Sequence, residues 1–134
     1  MIVIDASAIA KYVLKEEHWG QVRDYLTAEL RSLDLALAEV SNAIWKHQVI
    51  YRKISSSEAT VLFKVLQKLG ADVLILESFA GYLRGATEIA VNDKLTIYDA
   101  LYIAQAQRYG HFVTSDDFQR KIAVKLGLEV VFIE

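Results

Sequence analysis

The sequence predicts an α/β fold, a three-layer α/β/α sandwich around a mainly parallel sheet of about five strands. Three observations carry that expectation. Short β-branched apolar runs alternate with longer helical patterns. The apolar runs are continuous, as strands covered on both faces require. Three helical patterns also close on a basic residue and a glycine just before an apolar run: Lys68-Leu-Gly70, Arg108-Tyr-Gly110 and Lys125-Leu-Gly127. Glycine past a helix end takes the left-handed conformation, and a cation in the last turn complements the helix dipole.

Taken in order, Ile2 to Asp5 reads as a strand, followed by helices over Ala8 to Leu14 and Trp19 to Leu30. The second helix places Trp19, Val22, Leu26 and Leu30 on one face. Leu33 to Leu35 reads as a short strand, although Leu35-Ala-Leu-Ala38 can equally begin the helix that carries Glu39 to Tyr51. Ser55-x-x-Glu58 is a capping box for a helix ending at Leu69. A strand over Val73 to Leu76, a helix over Phe79 to Val91 and a helix from Thr96-x-x-Asp99 to Tyr109 follow. His111 to Val113 is a strand, Phe118 to Leu126 a helix, and Glu129 to Ile133 the last strand.

The 134 residues form one expected domain, 1–134, with no linker or low-complexity stretch. At 54% hydrophobic and 24% charged, the chain is far from the composition of disorder. No cysteine is present, which removes thiol nucleophiles, disulfides and thiolate metal sites. No apolar run approaches the ~18 residues of a membrane span, so a soluble, cytoplasmic protein without a membrane partner is expected. The net charge of −2 supplies no global field for a polyanion, so local bases or a metal would have to hold one.

In parallel sheets ligands bind beyond the carboxyl ends of the strands. There Asp5 ends the first strand, and Asp116 and Asp117 follow the strand His111 to Val113. Each also has a plain structural reading as a helix cap, as does Asp99 three residues after Thr96. Asp99 and Glu39, however, interrupt otherwise apolar runs, where an acid needs a partner.

Four motifs then converge: Ile2-Val-Ile-Asp5-Ala-Ser7, Leu37-Ala-Glu39-Val-Ser-Asn42, Tyr98-Asp99-Ala-Leu-Tyr-Ile-Ala104 and Val113-Thr-Ser-Asp116. In this order and spacing the chain resembles the PIN-domain ribonucleases, and more narrowly the toxin subunits of VapBC toxin–antitoxin modules. The resemblance spans essentially the whole chain. It implies a catalytic quartet of Asp5, Glu39, Asp99 and Asp116, with Asp5, Asp99 and Asp116 holding Mg or Mn. Thr114 steadies the site, and Ser7, Asn42 and Asp117 are supporting residues. The implied activity is metal-dependent endoribonuclease cleavage of RNA, with a cognate antitoxin and a homodimeric state as expected associations.

Elementary electrostatics points the same way. Two carboxylates ~5 Å apart repel by about 3 kcal/mol at an effective dielectric of ~20, so four need a cation. Oxygen donors select hard ions, and His18, His47 and His111 lie too far apart for a zinc motif. Lys11, Lys15, Lys46, Arg52, Lys53, Arg120 and Lys121 are the candidate RNA-binding bases. The doublet Asp116-Asp117 offers two acids for one place, and the Thr-x-Asp spacing selects Asp116. Two alternatives are a non-catalytic module of the same fold, marked by loss of an acid, and a receiver-type phosphoacceptor domain. The receiver would need an acidic pair at the first strand, where only Asp5 stands.

Overall fold

A computed structural model describes all residues 1–134. Its elements are β1 (Ile2–Ile4), α1 (Ala6–Val13), α2 (Trp19–Arg23), β2 (Leu30–Leu33), α3 (Leu35–Trp45), α4 (Ser56–Lys68), β3 (Leu74–Glu77), α5 (Leu83–Asp93), α6 (Ile97–Tyr109), β4 (His111–Thr114), α7 (Asp117–Lys125) and β5 (Glu129–Phe132). The five strands form one parallel sheet in the order β3-β2-β1-β4-β5. Right-handed crossovers carry α1 to α4 over one face and α5 to α7 over the other, giving three layers. The expected fold class and strand number stand.

The strand order reverses between β1 and β4, which lie side by side with Val3 opposite Phe112 and Ile4 opposite Val113. A crevice opens at such a switch point beyond the carboxyl ends of the strands. The core beneath it is apolar, with Val3, Ile4, Leu30, Leu33, Phe112 and Val113 fully buried. Above the sheet, α6 is buried on every side from Ala100 to Ala106. That burial fixes the helix axis, and with it the residues of its first turns.

Several boundaries differ from expectation. The helix beginning at Trp19 stops at Arg23, and Leu30 opens β2 instead of closing a helical face. Leu26 and Leu30 are four apart, a spacing that suits a helix, but Leu30 pairs with Ile2 in the sheet and is wholly buried there. Sheet pairing overrides the local pattern. The second strand therefore lies at Leu30–Leu33, not Leu33 to Leu35, and α3 begins at Leu35. A 3₁₀ turn occupies Phe79–Tyr82, so α5 begins only at Leu83.

Among the three glycines expected to be left-handed, Gly110 (φ 88°) and Gly127 (φ 85°) are, and Gly70 is not. The chain after Lys68 continues instead as a π-helical turn over Leu69–Val73. A Cβ at Gly70 would stand 3.1 Å from Leu37 Cδ2, so the residue's use is close approach to α3.

Candidate functional site

Asp5 follows β1 and is completely buried. Its Oδ1 accepts from Ser7 Oγ at 2.7 Å and from the Ala8 backbone N–H at 3.0 Å, so it does cap α1. Its Oδ2 accepts from Thr114 Oγ1 at 2.5 Å, a bond that joins β1 to β4. Capping and site roles thus coincide in one carboxylate. Burial pushes the Asp5 pKa up to about 7, against the lowering effect of its donors, and the charge of Asp116 adds to the rise.

Thr114 and Ser7 organise the neighbouring loop. Thr114 Oγ1 accepts from the Asp116 N–H at 3.0 Å, and Ser7 Oγ accepts from the Ser115 N–H at 2.9 Å. Asp116 is therefore anchored through the hydroxyl that also holds Asp5. Its Oδ1 accepts from the Gln119 N–H at 2.8 Å, making Asp116 the N-cap of α7.

Asp117, expected as that cap or as a partner within the site, has neither role. It is the first residue of α7, exposed, and bound to Arg120 Nη2 at 2.6 Å and Lys121 Nζ at 3.2 Å. Hydrogen bonds from those two cations hold its carboxyl below the usual range. The correction has a simple cause: the residue ahead of the first helical turn has the extended backbone that a capping side chain needs, and that residue is Asp116.

Glu39 and Asp99 come from the two helical layers. Glu39 Oε1 accepts from Tyr102 OH at 2.6 Å, while Asp99 begins α6 beneath its Thr96 cap. Burial raises the pKa of both; the Asp99 charge adds to the rise at Glu39, and the Asp116 charge to that at Asp99. The acids are thus coupled in sequence, Glu39 to Asp99, Asp99 to Asp116 and Asp116 to Asp5. Glu39, Asp99, Asp116 and Ser7 line one cavity of about 210 Å³, together with Tyr102 and Gln119.

Gln119 went unnoticed in the sequence. It is buried, its Nε2 donates to Asp99 Oδ1 at 3.1 Å, and its Oε1 has no partner. It lies three residues after Asp116. A polar residue one helical turn beyond a capping acid was the available signal.

The other expected residues divide. Asn42 and Lys46 line a groove along α3 that begins at Glu39. Arg52 and Lys53 sit in the link between the π-helical turn Lys46–Ile50 and α4. Lys11 is committed to the carbonyls of Glu17 and Glu134, at 3.1 and 2.7 Å. Lys15 flanks the Trp19 ring, and Arg120 and Lys121 are paired with Asp117.

As a place for a cation, the pocket has the right donors. They are all oxygens, and Glu39 Oε2, Asp99 Oδ2 and Asp116 Oδ2 accept no hydrogen bond from the protein. Asp5 Oδ2 accepts only one. No three acids are drawn tightly enough together to hold an ion in the present arrangement. The oxygen donors themselves are of the kind that a hard divalent ion takes.

A five-stranded parallel sheet with Glu39, Asp99 and Asp116 lining one pocket, and Asp5 buried beside it, places the chain in the class of three-layer α/β proteins with an acid-lined pocket at the switch point. Within that class, residues 2–125 match the family model of the PIN domain, and the chain belongs to the PIN-domain family. It is 35% identical over 113 residues to Ribonuclease VapC3 of Pyrobaculum aerophilum, covering 81% of this chain and 83% of that protein. The fold is similar to that of PAE2754 from the same organism, with a TM-score of 0.68, 26% identity, and 97% of this chain and 83% of that one covered. It is also similar to Mycobacterium tuberculosis VapC20, a sarcin-ricin loop cleaving toxin (TM-score 0.64, 16% identity, coverage 90% and 95%). The FitAcB structure from Neisseria gonorrhoeae shows the same fold (TM-score 0.62, 17% identity, coverage 97% and 96%).

Proposed function

We propose that this protein is a divalent-metal-dependent endoribonuclease that hydrolyses RNA phosphodiester bonds, and that it is the toxin of a toxin–antitoxin pair. The observation that carries the reading is the convergence of Asp5, Glu39, Asp99 and Asp116 at the β1/β4 switch point, tied together by Thr114, Tyr102 and Gln119. Kinship with a ribonuclease named VapC3 supports RNA as substrate.

Asp5, Asp99 and Asp116 would hold Mg or Mn. When bound, the ion lowers the pKa of a coordinated water and neutralises charge on the phosphate. Asp5 supplies a carboxylate that cannot swing, because three donors fix it. Glu39 lines the pocket and is held on one oxygen by Tyr102, which leaves Oε2 without a protein hydrogen bond, so that Glu39 would take a proton from the attacking water. Gln119 orients Asp99, and its backbone orients Asp116.

The purified protein should cleave RNA with Mg or Mn and stop on addition of a chelator, and cleavage in excess chelator would overturn the metal-dependent reading. A cognate antitoxin is expected to present an Arg to the acidic pocket, since guanidinium pairs bidentately with carboxylates. Coexpressed complex retaining full nuclease activity would refute that arrangement. A homodimer in a cytoplasmic setting completes the proposal, and sedimentation of the free protein tests the dimer.

A further inference from the structure

Between Glu39 and Glu58 the chain carries no acidic residue, so all 17 Asp and Glu lie elsewhere. The same stretch holds Lys46, Arg52 and Lys53, together with Trp45, His47 and Tyr51. None of these three bases takes part in the protein's ion pairs, in contrast to Arg120 and Lys121. The stretch is therefore a local run of positive charge, free of acids and of ion pairs, in a chain whose net charge is −2.

This stretch adjoins the acidic pocket. The groove along α3, about 390 Å³, is lined by Ala38, Glu39, Asn42, Ala43 and Lys46, and it shares Glu39 and Ala43 with the pocket. Glu39, Asn42, Ala43 and Lys46 follow helical i, i+3, i+4, i+7 spacing, so the groove runs about 10 Å along one helix face. Next to Lys46 in the chain stands Trp45, and five residues after Lys46 stands Tyr51, 46% and 52% exposed. The Tyr51 ring is braced, with the His47 ring edge-on at 5.4 Å and Lys53 Nζ 5.6 Å from its centroid. His47 in turn donates through Nδ1 to the Ala43 carbonyl at 3.0 Å, and the Lys53 N–H donates to the His47 carbonyl at 2.8 Å.

We propose that this face is an RNA track, in which the α3 groove takes the sugar-phosphate backbone beside the scissile bond and Trp45 and Tyr51 stack unpaired bases. The inference rests on the ribonuclease reading. Asn42 and Lys46 contact the backbone, and Arg52 and Lys53 hold phosphates beyond the stacked bases. Aromatic faces accept any base but only when it is out of a duplex, so the segment held there is single-stranded. Lys53 against the Tyr51 ring, with Lys46 and Arg52 in the same acid-free stretch, favours a polyanion over an apolar helix or a second copy of the chain.

The test is fluorescence anisotropy on the full chain in excess chelator, with a labelled unpaired RNA and the same RNA annealed to its complement. The unpaired form should bind at least ~10-fold tighter, and Trp45→Ala and Tyr51→Ala should each weaken it by ~10-fold. Lys46→Gln should lower the salt dependence by about one counterion. Wild-type affinity in Trp45→Ala and Lys46→Gln would overturn the track. So would a Trp45→Ala change confined to the oligomeric state in sedimentation, which would make the face a contact between copies. Metal-dependent cleavage is measured separately on the wild type. Cleavage with no effect of Trp45 sinks the track and leaves the ribonuclease standing. Trp45-dependent binding without any cleavage sustains the track and sinks the ribonuclease.

Discussion

Gln119 holds Asp99 across the candidate site: its carboxamide donates to Asp99 Oδ1 at 3.1 Å from α7 to α6, while its own backbone N–H is capped by Asp116. One residue thereby sets the orientation of two acids that come from different elements. Its other amide atom, Oε1, is buried without a partner. Gln119→Leu keeps the volume and removes the grip. We expect Mn affinity and turnover to fall by ~10- to 100-fold with little change in melting temperature, as for other residues that orient metal ligands. Wild-type Mn titration in Gln119→Leu would show that Asp99 needs no such support.

The two neighbouring aspartates should separate cleanly. Asp116→Asn keeps a good capping side chain but loses the charge, so activity should vanish while the melting temperature holds or rises. Asp116→Ala should lose activity and in addition ~0.5 to 2 kcal/mol of stability, the usual cost of a lost cap. Asp117→Ala removes only exposed pairs with Arg120 and Lys121 and should leave activity close to wild type. Thermal melts with single-turnover cleavage of all three variants decide the assignment. An inactive Asp117→Ala would transfer the fourth acidic role to that residue.

Tyr102→Phe tests the Glu39 contact. The hydroxyl's bond to Glu39 is one of the influences that lower the Glu39 pKa, opposing burial. Without it the Glu39 pKa should rise further, moving the acidic limb of the pH–rate profile to higher pH. Turnover should fall by ~10-fold or more if Glu39 serves as the base. An unmoved profile would mean that Tyr102 only fills space.

Asp5 makes the metal-free protein sensitive to pH. Its folded pKa of about 7 lies above the ~3.9 of an unfolded aspartate, so the folded state binds more protons between those values. Stability should therefore be greatest below pH ~4 as far as this group is concerned, and should be lost as pH rises toward 7. In chelator, Asp5→Asn should flatten that slope and be the more stable protein at pH 8. Melting curves from pH 5 to 8 check it, and parallel slopes in the two proteins would remove Asp5 from the account.

The fold class is legible in the sequence because it is written in local terms, whereas the four acids stand out as a set only through family motifs. Continuous apolar runs, capping residues and left-handed glycines at Gly110 and Gly127 act over a few residues; of the acids, Asp5 follows a strand and Asp99 and Asp116 stand at helix starts, while Glu39 lies inside α3. Family motifs extended that reading to Thr114, which the structure places against Asp5. Other features depend on pairing between distant segments. Leu30 became a strand residue because Ile2 lies beside it, and Gly70, inside a π-helical turn, matters for the closeness of Leu37 on α3 and not for a left-handed turn. Which aspartate caps α7 followed from the backbone angle at one residue, and Gln119 acquired its importance from an Asp99 that is twenty positions away. A spacing in sequence fixes neighbours along one helix or strand, but contacts between layers exist only once the sheet has set the order of its strands.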